Sequence, residues 1–147
     1  MNKMIHKGIH KDFMLNGHQF DTQNDLLVYT LDLNPELHSF IADWLDPSPV
    51  LSVRTSGSTG IPKRIQLKKD HMVNSALATG FYFKLSAKTT ALLCLSPAYI
   101  AGKMMLVRAL VLGWHIDVIE VGSNPLHGMN KRYDFGAMVP LLSLIHI

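Results

Sequence analysis

The sequence has a single cysteine and no long apolar run, and each shortage excludes a class of protein. Cys94 has no partner for an internal disulfide, which fits a reducing compartment. No segment reaches the roughly 20 consecutive apolar residues that a membrane helix needs. Residues 1–7 also lack the apolar centre of a secretory signal. These shortages predict a cytoplasmic protein that has no membrane segment.

Charged residues are scarce as well, since they make up 17% of the 147 residues while hydrophobic residues make up 48%. This balance predicts one core-forming globular domain of ordinary size and excludes a disordered chain. The net charge is only +3. One small basic cluster contains Lys63, Arg64, Lys68 and Lys69, and a bound nucleotide explains it as well as a nucleic acid would. We therefore expect no nucleic-acid partner.

The most informative segment is residues 55–63, which read Thr-Ser-Gly-Ser-Thr-Gly-Ile-Pro-Lys. Four hydroxyl groups surround two glycines, and a lysine follows. Glycine reaches backbone conformations that turn several N–H groups toward one point, and such a loop binds phosphate oxygens. The segment therefore predicts a polyphosphate site, with these candidate binding residues: Thr55, Ser56, Gly57, Ser58, Thr59, Gly60 and Lys63.

The spacing of this loop excludes the two commoner phosphate-binding motifs. A Walker A loop requires a lysine directly after its second glycine, whereas Lys63 follows Gly60 by three positions. The dinucleotide motif G-x-G-x-x-G is also absent from the segment. The plain alternative is a flexible linker. The apolar residues on both sides and the stiffening Pro62 argue against it.

These nine residues resemble the signature phosphate loop of the AMP-forming acyl-adenylating enzymes. That superfamily includes acyl-CoA synthetases, adenylation domains of peptide synthetases, and luciferases. The resemblance implies that the loop closes over the β- and γ-phosphates of ATP while a carboxylate attacks the α-phosphate. Lys63 would act as the catalytic cation that neutralises the pyrophosphate leaving group, because positioning and electrostatics supply most of the rate in such transfers.

Hydrophobic periodicity predicts the order of helices and strands. Asn34 and Pro35 begin a helix whose apolar face repeats through Leu45. Strands are expected on both sides of the loop, and Asp70 is expected to cap a helix that runs to about Leu85. The apolar stripe of that helix is predicted to contain Met72, Val73, Ala76, Leu77 and Phe81, with Tyr82 and Phe83 widening it.

The second half alternates in the same way, with a buried strand over 91–95, an apolar helix over 102–112 and a strand over 115–121. An Asn16-Gly17 turn precedes all of these elements and could close a short hairpin. Alternating strands and helices predict an α/β fold with a mostly parallel sheet flanked by helices. The resemblance makes this sheet part of the large N-terminal domain of an acyl-adenylating enzyme.

A candidate substrate-binding segment follows the strand over 91–95, where parallel α/β sheets bind ligands. Its candidate residues are Tyr99, Gly102 and Lys103. In the resembled family this position usually carries a histidine or an aromatic residue and helps to line the acyl pocket. Tyr99 could instead simply pack, and Lys103 could either meet a substrate carboxylate or extend to the surface.

Four further segments accompany the loop: Asp70-His71-Met72-x-Asn74-Ser75, Tyr99-Ile100-Ala101-Gly102-Lys103-Met104-Met105, Ser123-Asn124-Pro125-Leu126 and Ala137-Met138-Val139-Pro140. With them, the chain from Val53 to Pro140 looks most like the o-succinylbenzoate–CoA ligases of menaquinone biosynthesis. The resemblance implies ATP, Mg²⁺ and coenzyme A, with a small carboxylic acid as the substrate. The family motifs that hold adenine, ribose and Mg²⁺ are absent, so their ligands are expected beyond residue 147. We therefore interpret the chain as a fragment that is inactive alone, with apolar surface that could favour a homodimer.

Three segments are expected along the chain: a lead-in over 1–49, the phosphate-loop α/β region over 50–141, and a tail over 142–147. The tail departs from the family pattern, and we interpret it as foreign to the natural protein. An ordinary terminal strand is the alternative.

The eight histidines show no spacing that completes a metal site, so no metal ligand is expected among residues 1–147. Two other functions stay open from the sequence. One is an adenylation domain for an amino acid or another acid. The other is a non-catalytic phosphate-binding module.

Overall fold

A computed structural model describes residues 4–6, 8–55, 60–61, 63–119 and 131–137 of the chain. Four helices and eight strands form within these residues. The helices are α1 (Gln23–Leu33), α2 (Pro35–Leu45), α3 (Lys69–Phe83) and α4 (Ile100–Leu112). The strands are β1 (Met4–His6), β2 (Ile9–His10), β3 (Met14–Leu15), β4 (Val50–Arg54), β5 (Arg64–Lys68), β6 (Thr90–Leu93), β7 (His115–Val118) and β8 (Phe135–Ala137).

The central layer is a parallel sheet of four strands in the order β3-β7-β6-β8. Helix α4 connects β6 to β7 and packs against α3 and against both of those strands. Most of its side chains are buried, because neighbours surround a helix that is apolar on nearly every side. The predicted α/β fold with a mostly parallel sheet is confirmed.

The predicted start of α2 is also confirmed. The Asn34 side chain accepts hydrogen bonds from the backbone N–H groups of Glu36 and Leu37, and Pro35 occupies the first helical turn. Four apolar residues of this helix are buried, as the periodicity predicts: Leu37, Phe40, Ile41 and Trp44.

Helix α1 is an element that the sequence analysis missed. Its N-cap is Thr22, whose hydroxyl accepts a hydrogen bond from the backbone N–H of Asp25 at 3.1 Å. A threonine followed three residues later by an acidic residue is the local signal that could have found it.

The Asn16-Gly17 turn forms as predicted, with positive φ angles of 50° and 80° at its two central residues. Leu15 and His18 exchange backbone hydrogen bonds across the turn. The Asn16 side chain also accepts from the backbone N–H of Val118 at 2.8 Å. The turn therefore attaches the first segment to strand β7.

Strands β4 and β5 form a separate antiparallel hairpin with the register Val50↔Lys68 to Arg54↔Arg64. Leu51 and Val53 point into the core, whereas Ser52 and Arg54 lie on the exposed face. This alternation is that of a strand with one buried face.

The predictions for α3 were partly wrong. The helix begins at Lys69, so Asp70 lies within its first turn rather than at the cap. Four residues of the predicted stripe are exposed: Leu77, Phe81, Tyr82 and Phe83. Met72 and Ala76 are buried as predicted, and Gly80 is buried on the same helix. A Cβ on Gly80 would lie 3.0 Å from a Leu112 methyl group and 3.2 Å from the Leu85 carbonyl oxygen, so a larger residue would fit there only if these neighbours moved.

In the described part of the chain, every helix is too short or too polar to cross a membrane.

The segment before β8 carries a tyrosine whose titration we expect to be strongly shifted. The Tyr133 hydroxyl donates to an Asp117 carboxylate oxygen at 2.8 Å, and Lys131 donates to the same oxygen at 2.8 Å. Burial, and then the hydrogen bond to Asp117 and its negative charge, raise the pKa of Tyr133 from 10.0 to about 12.

Because the folded pKa is raised, the stability that Tyr133 contributes is complete below pH 10 and is lost as the pH rises toward 12. NMR titration of ring-labelled tyrosine, assigned with Tyr133→Phe, should give a midpoint near 12. Asp117→Asn should return the midpoint toward 10. A wild-type midpoint at the ordinary value would contradict the predicted interaction.

Candidate functional site

The two ends of the predicted phosphate loop are held together at the end of the β4–β5 hairpin. The backbone N–H of Thr55 donates to the carbonyl of Lys63 at 3.0 Å. The backbone N–H of Lys63 donates to the Thr55 hydroxyl at a longer 3.4 Å. The hairpin ladder thus continues past Arg54 and Arg64 and closes the base of the loop.

Gly60 has a φ of +95°, and a Cβ at this position would meet no atom of the described residues within 4 Å. The backbone conformation is therefore a reason for glycine here. The Lys63 side chain is exposed. Four predicted binding residues lie outside the described residues, namely Ser56, Gly57, Ser58 and Thr59, as does Pro62, so contacts of the complete loop with phosphate stay a prediction.

The segment 96–99 is fixed by a small network of polar contacts. The Ser96 hydroxyl donates to a Glu36 carboxylate oxygen at 2.8 Å and accepts from the backbone N–H of Ala98 at 3.1 Å. The backbone N–H of Tyr99 donates to the Ser96 carbonyl at 3.3 Å. This network attaches the segment to the start of α2.

Gly102, a candidate substrate-binding residue, is buried against the same segment. A Cβ at this position would overlap the Ser96 carbonyl oxygen and would lie 2.6 Å from its carbon and 3.1 Å from the Pro97 nitrogen. The structure therefore gives Gly102 a packing role. Direct contact with a substrate stays a prediction.

Lys103 does not extend to the surface, since only 8% of the residue is exposed. Its ammonium group donates to the Pro97 carbonyl at 2.8 Å and lies 5.4 Å from the centroid of the Phe40 ring. Burial lowers the pKa of Lys103, and the positive charge of Arg54 lowers it further. The carboxylates of Asp43 and Glu36 act in the opposite direction.

Tyr99 lies beside the end of β4. The Arg54 guanidinium carbon is 5.6 Å from the centroid of the Tyr99 ring, and the two residues form an isolated parallel bridge. The candidate substrate-binding segment and the base of the phosphate loop are therefore neighbours. Both segments were predicted from their residues, but the contact between them depends on the fold.

A cleft of about 430 Å³ opens where these elements meet. The polar and charged residues that line it are three cations, two carboxylates and two serines: Arg54, Arg64, Lys103, Glu36, Asp43, Ser39 and Ser52. Arg54, Glu36 and Asp43 were not among the candidate residues, and Arg64 was noted only for its charge. Helix α2, the two strands of the β4–β5 hairpin and the first turn of α4 supply these residues, so no local motif marks them.

Across the described ranges, no three side chains of the histidine, cysteine, aspartate and glutamate types lie close enough to hold a metal ion. Cys94 is buried, as its apolar neighbours predict, and burial raises the pKa of its thiol. Its Sγ atom donates to the Ala137 carbonyl at 3.4 Å. These contacts describe a core residue.

One solved structure with a similar arrangement identifies the fold. The chain is similar to an acyl-CoA synthetase (AMP-forming)/AMP-acid ligase II-like protein from Dyadobacter fermentans, with 40% sequence identity and a TM-score of 0.71. The similarity covers 77% of this chain and 33% of that protein. The fold is that of part of the N-terminal domain of an acyl-adenylating enzyme. The AMP-forming superfamily that the loop resembles is thereby supported.

Two further similarities are weaker. They are to o-succinylbenzoate coenzyme A synthetase from Bacillus subtilis, solved with ATP and magnesium ion and also with its acyl-adenylate intermediate. Both are 24% identical, with TM-scores of 0.42 and 0.43. They cover 46% and 49% of this chain, and 14% and 19% of the synthetase.

No protein-family model matches the sequence, and no curated protein matches it either. The chain spans about a third of the length of the Dyadobacter protein. The chain therefore contains part of the acyl-adenylating fold.

Proposed function

We propose that the chain supplies the phosphate-loop part of an ATP-dependent acid–CoA ligase, which forms an acyl-adenylate and then an acyl-CoA thioester. The observation that carries this proposal is the combination of the signature at 55–63 with a hairpin that closes at Thr55 and Lys63. The similarity to the Dyadobacter synthetase adds support, because it covers 77% of the chain.

The chemistry of these residues fits a polyphosphate. A closed hairpin base holds the ends of a glycine-containing loop, and the exposed Lys63 adds a cation beside it. Backbone N–H groups, hydroxyl groups and an ammonium group all donate hydrogen bonds, and phosphate oxygens accept them. In the proposed reaction Lys63 would offset the charge that develops on the pyrophosphate as it leaves.

The proposal includes Mg²⁺, for which the described residues offer no group of three ligands. Mg²⁺ commonly retains water and binds through substrate phosphates together with one or two carboxylates. We therefore propose that it accompanies ATP. Coenzyme A would be the acyl acceptor.

We further propose o-succinylbenzoate as the acid. The support comes from the segments around the loop, among them Asp70-His71-Met72, Tyr99 to Met105 and Ala137 to Pro140, which together look like those of o-succinylbenzoate–CoA ligases. Pyrophosphate exchange tests o-succinylbenzoate as the substrate. The exchange of labelled pyrophosphate into ATP is measured with this acid, with amino acids and with other carboxylic acids. It requires the longest natural form of the protein.

The role of Lys63 is tested by calorimetry with MgATP. We expect Lys63→Ala to weaken nucleotide binding about tenfold, since a charge-assisted hydrogen bond contributes about 1.5 kcal/mol or more. Lys68→Ala is the matched control, because Lys68 is also exposed and lies at the other end of β5. Equal binding by the wild type and Lys63→Ala would remove the proposed role. A wild type that does not bind millimolar nucleotide would contradict binding by the loop alone.

A further inference from the structure

The β4–β5 hairpin carries a second cluster of cations that the proposed reaction does not use. Arg54 and Arg64 are directly opposite each other in the antiparallel register. Like charges in such a pair destabilise a sheet unless something compensates them. Among the described residues, neither arginine forms an ion pair with a carboxylate.

Strand alternation assigns the two arginines to the opposite face of the hairpin from position 63. Side chains alternate along a strand, so Arg54 shares a face with Ser52 while Leu51 and Val53 point into the core. The next pair in the ladder, Thr55 and Lys63, falls on the other face by the same alternation. An anion held by the arginines would therefore lie on the other face of the hairpin from the one to which position 63 is assigned.

The cleft beside these arginines has the size and lining of a binding site. Its volume of about 430 Å³ exceeds what a single ion needs. Lys103 lines the same cleft, is almost completely buried, and experiences the positive charge of Arg54. The carboxylates of Glu36 and Asp43 lie on the wall formed by α2.

We propose that this cleft binds a small phosphate monoester that carries hydroxyl groups. Two guanidinium groups on facing strands can donate hydrogen bonds to different oxygens of one tetrahedral phosphate dianion. A carboxylate is planar and has only two oxygens, so it offers fewer acceptors to the two arginines. The Glu36 and Asp43 carboxylates accept hydrogen bonds, so they favour a ligand with hydroxyl donors over bare phosphate. The positive side of the cleft takes the phosphate group, and the acidic wall takes the hydroxyl groups.

The test is an NMR titration of the ¹⁵N-labelled chain with glycerol 3-phosphate, inorganic phosphate and acetate at constant ionic strength. Shifts of the amides at 52–54 and 64–66 report binding in the cleft. We expect glycerol 3-phosphate to bind several-fold more tightly than inorganic phosphate, and acetate to bind least. Equal affinity for all three would overturn the assignment to a phosphate ester.

Variants locate the site. Arg64→Gln should weaken the binding of glycerol 3-phosphate at least fivefold, and Arg64→Lys should weaken it less. Lys68→Gln removes the same charge from the same face of β5 outside the cleft, so it should change the affinity by less than twofold. An equal loss in Lys68→Gln would show a general charge effect and would overturn the site.

Lys63→Ala separates this site from the phosphate loop. We expect Lys63→Ala to change the affinity for glycerol 3-phosphate, measured from the cleft amides, by less than twofold. The same substitution should weaken MgATP binding. If Lys63→Ala abolished both, the two sites would be one, and the proposal would fail. If it changed neither, the role of Lys63 in nucleotide binding would fail while the cleft site stood.

Discussion

Replacement of Phe40 by alanine is expected to lower the free energy of unfolding by about 4 kcal/mol, as found for aromatic side chains truncated in a protein core. Phe40 is completely buried on α2. Its ring centroid lies 6.2 Å from that of Trp44, and the Lys103 ammonium lies above the ring at 5.4 Å. A single-domain protein has about 5–15 kcal/mol of stability in total, so this loss is severe. Chemical denaturation measures it.

Phe81 provides a matched control for this substitution. It is 89% exposed, so Phe81→Ala should change the stability by no more than about 0.5 kcal/mol. Phe40→Leu retains most of the apolar volume and should cost about 1.5 kcal/mol. Equal losses at positions 40 and 81 would mean that the described packing of α2 and α3 is incorrect.

Gly102→Ala is expected to destabilise the protein by about 3 kcal/mol, at the upper end of the range for overpacked cores. The added Cβ would lie 2.6 Å from the Ser96 carbonyl carbon, which is backbone and cannot rotate away. Helix α4 would have to move from segment 96–99, and the hydrogen bond from Lys103 to Pro97 would be strained. Thermal and chemical denaturation measure the loss, and amide shifts at 96–99 should accompany it.

Gly136→Ala is the control for this second prediction. The nearest atom to a Cβ at Gly136 is the Leu92 carbonyl oxygen at 3.7 Å, an ordinary contact. The substitution should therefore change the stability by no more than about 0.5 kcal/mol. A Gly102→Ala variant as stable as the wild type would show that α4 and segment 96–99 are not packed as described.

The parts of the fold that were predictable have strong local signals. Asn34 and Pro35 marked the start of α2, and Asn16-Gly17 marked a turn, because caps and turns depend on a few adjacent residues. The stripe of α3 was less predictable, since several periodic faces were apolar. Contact with α4 selected the face that carries Ala76 and Gly80 and left Phe81 exposed.

The cleft could not be predicted from local patterns. Lys103 could equally have extended to solvent, and its burial followed from the position of Pro97 and Phe40 around its side chain. Arg54 and Arg64 were only two charges beside a loop until the hairpin register placed them opposite each other.

The sequence alone determined the α/β class and the phosphate-loop signature at 55–63, because hydrophobic periodicity and glycine spacing operate within short segments. Only the tertiary structure decided that Glu36, Arg54, Arg64 and Lys103 share one cleft. The packing of α2, the β4–β5 hairpin and the start of α4 brings these residues together. The distances between those elements depend on the whole fold, so no pattern among adjacent residues predicts them.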